Sequence, residues 1–174
     1  MAPPSGRWRL LVRVCLLALG VALIGPVSLL ALEWGFIAPG QTAMDAVRAR
    51  YGNPSRTATE KIEGYDSTQW VYEGAQAPTG MIRMVVDFGL LGPSGYRPQV
   101  VRSVLLHPKP GTFNRNIVVQ GWGPPSATGE QSGRPAYMYE DGLFVVFDSD
   151  VWDVETMLFT PKQRLPPPAP APPR

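Results

Sequence analysis

The 174-residue chain has one cysteine, Cys15, and one histidine, His107. A lone thiol excludes an internal disulfide, so any folded region is held by its apolar core. Zinc sites built from Cys and His are excluded with it. No acidic residue precedes Glu33, and charged residues are only 17% of the chain. The formal charge of +2 comes from Arg7, Arg9 and Arg13 ahead of an apolar stretch, and the remainder balances close to neutral. That balance lacks the basic face of a nucleic-acid binder. No G-x-S-x-G, Walker loop or H-E-x-x-H is present. The expectation is a non-enzymatic protein with no catalytic residue, metal, cofactor or small-molecule substrate.

What is present begins with residues 14–32, VCLLALGVALIGPVSLLAL, which carry no charge. A bilayer core takes about 20 apolar residues as a helix. The preceding arginines keep the N-terminal side cytoplasmic, and Trp8 and Trp34 suit the two interfaces. The expected organisation is a cytoplasmic basic terminus (1–13) and a transmembrane anchor or signal segment (14–34). The bulk is then periplasmic or extracellular, on a single-pass plasma-membrane protein. The stretch exceeds a signal peptide's h-region of about 7–15 residues, and residues 28–36 offer no clear A-x-A site. At the other end, residues 165–174 (LPPPAPAPPR) form a Pro-rich tail suited to polyproline II.

Between these segments one spacing recurs. Gly40 and Gly111, Val47 and Val118, Tyr51 and Trp122, Gly52 and Gly123, and Pro54 and Pro125 each stand 71 positions apart. Each set reads as a short helix stopped by G-x-P, with the glycine as a left-handed C-cap. Thr42 is the expected cap of the first helix, and Thr112 or Asn114 of the second. Ile117-Val118-Val119 also suits a strand. Strands are expected at 68–73, 81–88 and 100–106, then at 136–140, 143–147 and 151–158. Asp141-Gly142 signals a hairpin, and Gly89–Gly95 reads as a long hairpin loop. The fold class is α+β: two tandem helix-plus-antiparallel-sheet units, residues 36–107 and 108–164, each with three strands.

Gly40, Thr42, Val47, Gly52, Pro54, Trp70 and Tyr72 form a pattern that resembles the SmpA/OmlA (BamE) outer-membrane assembly lipoproteins. The tandem arrangement is similar to the β-lactamase inhibitory proteins. This resemblance implies a module that binds other envelope proteins, and no binding residue carries over from either family.

Candidate sites are few. Asp148, Asp150, Asp153 and Glu155 form the densest acidic patch, but no calcium-loop glycine or terminal glutamate follows. His107, beside Pro108 and Pro110 in the connection between the two units, shows no orienting partner. Trp70, Tyr72, Tyr137 and Tyr139 stand in pairs two apart, which places each pair on one sheet face. They are candidates to grip a partner, and equally suit a core beneath the helices. The expected function is a protein-binding or scaffold module of the bacterial cell envelope. The alternative is an accessory subunit held by its N-terminal helix in a larger membrane complex, where Gly20, Gly25 and Ser28 would allow close packing.

Overall fold

A computed structural model of the protein describes residues 33–62 and 64–162. Helix α1 (Met44–Tyr51) leads into strands β1 (Arg56–Ile62), β2 (Tyr65–Glu73), β3 (Met81–Gly92) and β4 (Gly95–Pro108). Helix α2 (Arg115–Trp122) leads into β5 (Ala127–Gln131), β6 (Arg134–Tyr139), β7 (Leu143–Phe147) and β8 (Val154–Phe159). All eight strands form one antiparallel sheet in the order β1-β2-β3-β4-β8-β7-β6-β5.

This corrects the expected architecture. The strands do not divide into two separate three-stranded units. Each helix is followed by four strands, and the two sets merge where Val104, Leu105 and Leu106 of β4 pair with Phe159, Leu158 and Met157 of β8. A merged sheet buries both halves in one apolar cluster, which two separate small units would each have to supply alone.

The core lies under the helices. Val47 of α1 and Val118 of α2 are fully buried in one cluster with Trp70, Tyr72, Phe88, Leu106, Phe147 and Phe159. A fully buried side chain of this kind contributes roughly 1.5–3 kcal/mol over an exposed one. Each half repeats the same internal contacts. Trp70 meets Phe88 edge-on at 4.8 Å, and Tyr137 meets Phe147 edge-on at 4.8 Å. The Tyr72 hydroxyl donates to the Gly52 carbonyl at 3.3 Å, and the Tyr139 hydroxyl donates to the Gly123 carbonyl at 3.1 Å.

Several local expectations change. Thr42 does not cap α1. Its hydroxyl accepts the Ala38 amide at 2.9 Å, and Ala43 at the N-cap makes no side-chain bond. Asn114 caps α2 by accepting the amides of Asn116 and Ile117. Gly52 (φ 76, ψ −160) and Gly123 (φ 79, ψ −173) do end the helices at positive φ, but not in the left-handed helical region. They occupy extended backbone of positive φ, open essentially to glycine alone. The Gly89–Gly95 segment is not a long loop: β3 runs to Gly92 and β4 starts at Gly95, with register shifts around Phe88.

Among the described residues the expected transmembrane helix is not found: none of their helices is long and apolar enough to cross a membrane. Most of the proposed span, residues 14–32, lies outside them, as do the basic terminus and the Pro-rich tail. Trp34, expected at a membrane interface, belongs to the folded region. It exchanges backbone hydrogen bonds with Ile37 and stacks on Tyr51 at 6.0 Å.

Candidate functional site

The four aromatics expected to reach a partner are core residues. Trp70, Tyr72, Tyr137 and Tyr139 are all buried on the helix side of the sheet. Period-two spacing gives them a shared face, and the helices cover that face. The Arg48 guanidinium lies 4.8 Å over the Trp70 ring, and that of Arg115 lies 5.4 Å over Tyr137. The Tyr72 phenol is pushed up to about 12, chiefly by burial, with Arg48 opposing and Tyr51 adding to the shift. Burial likewise raises Tyr139, with Tyr137 adding to it. Neither phenol ionises near neutral pH, so both act as neutral hydrogen-bond donors.

The other face carries the arrangement that sequence reading missed. Val71, Val85, Ala136 and Val146 are buried yet lie outside the helix-side cluster. The register joins neighbouring positions into a row: Val71 opposite Val85, Val85 opposite Leu105, and Leu105 opposite Leu158. It continues from Leu158 to Phe144 and from Phe144 to Met138. Strand spacing of about 4.8 Å makes this row roughly 24 Å long across six strands. Leu105, Leu158, Phe144 and Met138 are partly exposed, and neither described helix packs on them. The signal was available in strands such as LFVVF, which are apolar at every position and so have two faces to bury.

Polar groups border the row in the first half. Asp87 accepts from Gln69 Nε2 at 2.9 Å and from Ser103 Oγ at 2.8 Å. On the other side Glu73, Arg83 and His107 are cross-strand neighbours. Glu73 binds Arg56 with both oxygens, at 3.1 and 3.2 Å. Its approach to Arg83 Nε is 3.8 Å, and that nitrogen has no hydrogen-bond partner. His107 thus lies in β4, and not in a connection between units. Its pKa is lowered by burial first and by Arg83 second, with Glu155 opposing, so the ring is neutral at pH 7.

Below this polar border a cleft of about 490 Å³ opens at the ends of β3, β4 and β8. Arg83, His107, Asp148, Asp153 and the paired Arg134–Glu155 line it. Of the acidic patch read in the sequence, Asp148 accepts the Trp152 amide at 3.1 Å and Asp153 accepts the Gly111 amide at 3.0 Å. Among the described residues no group of three His, Cys, Asp or Glu side chains is placed to hold a metal ion.

Comparison with known proteins agrees on the fold alone. No family model and no curated protein matches the chain. One solved structure does: a DUF4309 family protein (YjgB) from Bacillus subtilis, at 12% identity and a TM-score of 0.50. The match covers 74% of this chain and 84% of that one. This overturns the resemblance to the BamE lipoproteins and the β-lactamase inhibitory proteins. The G-x-T, G-x-P and W-x-Y positions that carried it are turn and core residues of a continuous eight-stranded sheet. Such residues report local helix-stop and strand geometry, and different folds share that geometry.

Proposed function

We propose that this protein is a non-enzymatic binding module that docks another protein against the helix-free face of its sheet. The observation that carries this reading is the apolar row from Val71 to Met138. A row spanning both halves presents a surface that neither half has alone, and its partly exposed Leu, Phe and Met side chains are the adaptable apolar contacts that interfaces use. The polar border at Asp87 and Glu73 supplies a rim. The folded region works outside the cytoplasm, a reading supported by the three arginines ahead of the uncharged stretch 14–32.

Site-specific photo-cross-linking of the full-length protein in its native cell tests the docking face. A cross-linker at position 138, 144 or 158 is expected to yield one common adduct, while positions 45 and 116 on the helices yield none. An adduct from the helix positions alone sinks the reading. An alkaline phosphatase fusion after residue 60 tests the compartment: it is expected to be active, and an inactive fusion places the folded region inside.

A further inference from the structure

The cleft at the ends of β3, β4 and β8 carries two unmatched poles of charge. Its five charged groups differ in what the protein itself supplies to them. Arg134 is held by close contact with Glu155, so that pair is internally neutral. Arg83 has only the 3.8 Å approach of Glu73, whose two oxygens are already engaged by Arg56. Its side chain is 38% exposed and lines the cleft, with Nε buried and unpartnered. Asp148 and Asp153 each accept one backbone amide, and among the described residues no cation is paired with either. His107 lies beside Arg83 in the register and is neutral, so it adds a hydrogen-bonding ring without charge.

Topology separates these poles. Arg83 lies in β3, while Asp148 follows β7 and Asp153 precedes β8. In the sheet order, β8 is two strands and β7 three strands from β3. The backbone positions that bear the poles are therefore about 10–14 Å apart across the sheet. Apolar residues line the same cleft: Ile82, which is 55% exposed, with Pro108, Pro110 and Val154. A volume of about 490 Å³ falls in the range of small-molecule sites.

We infer that this cleft binds a short peptide with free termini, its carboxylate on Arg83 and its ammonium on Asp148 and Asp153. An extended chain advances about 3.4 Å per residue, so three to four residues span the two poles. Guanidinium–carboxylate contact is among the stronger hydrogen-bonded pairs, and the planar fork matches the two oxygens. The apolar lining takes the side chains between the termini. This inference does not rest on the docking face, which occupies other residues and is tested separately.

Calorimetric titration of the full-length protein with alanyl-leucyl-alanine provides the test, alongside the same peptide N-acetylated or C-amidated. The free peptide is expected to bind saturably, and blocking either end is expected to weaken binding at least tenfold. Arg83→Gln should abolish the penalty for amidation and leave that for acetylation. The double variant Asp148→Asn, Asp153→Asn should do the reverse. Thermal melts of each variant establish that it is folded. The inference is overturned if the three peptides bind equally, if none binds at millimolar concentration, or if Arg83→Gln leaves the amidation penalty in place.

Discussion

In the half made by α1 and β1–β4, Tyr72 hangs from the Gly52 carbonyl and Trp70 abuts Phe88. In the half made by α2 and β5–β8, Tyr139 and Tyr137 repeat both contacts against Gly123 and Phe147. The halves part at their margins. Asn114 caps α2, whereas Ala43 leaves α1 uncapped. The β2–β3 connection takes a turn of 3₁₀ helix at Gly74–Gln76, whereas β6–β7 is closed by a tight turn at Gly142. On the helix-free face the first half borders its apolar row with Asp87 and Glu73, while Ala136 and Val146 adjoin it in the second. Contacts beneath the helices are shared; caps, turns and the outer face are free to differ.

The sharpest break in that comparison is at the turns. Gly142 has φ 104, and a Cβ there would run into the Thr160 carbonyl, with the Pro161 carbonyl 3.0 Å away. Neither carbonyl can retreat without moving the end of β8. Gly142→Ala is expected to cost about 3–5 kcal/mol in urea unfolding, or to prevent folding. Gly80 ends the corresponding connection in the first half, and a Cβ there meets only the Thr112 side chain, nearest at Cγ2, 3.1 Å away. Gly80→Ala should cost clearly less. Equal costs would mean that the two turns are equivalent after all.

Val47→Ala and Val118→Ala probe the shared core. Each removes two methyl groups from a fully buried position, a loss of about 2 kcal/mol. The comparison sharpens if the two losses agree, and it breaks if one variant melts like the parent.

Gly52→Asn and Gly123→Asn test the helix ends. Nothing lies within 4 Å of a Cβ at either glycine, so the cost is backbone strain alone, about 1–3 kcal/mol. Asparagine helps where a helix ends in the left-handed region, and these glycines lie elsewhere. The Asn variants are therefore expected to be no more stable than the Ala variants, and a clear advantage for Asn would refute the extended geometry.

Caps give a smaller and opposite pair. Asn114→Ala should cost about 1 kcal/mol, and Ala43→Asn should gain a similar amount if its backbone, already extended, accepts the cap. The smallest effect is at His107. Its folded pKa lies below the ordinary value, so the unfolded chain takes up the proton more readily. That contribution to stability is present above pH 6.5 and is lost as pH falls through the window below it. His107→Asn should flatten the acid slope of the melting temperature by a small amount. An unchanged slope would show that the ring is as free to protonate folded as unfolded.

Particular residues explain what the sequence disclosed. The helices were legible because Gly52-x-Pro54 and Gly123-x-Pro125 stop them chemically. The strands Tyr65–Glu73, Met81–Gly92 and Leu143–Phe147 were legible in part because their apolar residues alternate or run continuously. Strands β1 (RTATEKI) and β5 (ATGEQ) escaped notice because they are edges. Their side chains are almost wholly exposed, so no apolar period marks them. The union of β4 with β8 left no local mark, since register between distant strands depends on packing and not on neighbouring residues. The apolar row was hidden for the same reason: Val71, Leu105, Phe144 and Met138 become a row only when the strand order is known. Arg83 and His107 lie far from Asp148 in sequence, and only that same merging brings them to one cleft.

The three-residue seam of β4 and β8 also sets an order of assembly. Every other strand pairs with its neighbour in the chain, whereas the seam joins segments separated by α2 and three strands. Local hairpins close quickly, and a long-range pairing must first overcome the entropy of the intervening loop. On the ribosome, β1–β4 can be paired before β8 exists, leaving β4 as a bare apolar edge until the last strand emerges. A chain shortened before Val154 would keep that edge open permanently, a template for pairing between molecules. The final strand therefore protects the first half from aggregation as much as it completes the second.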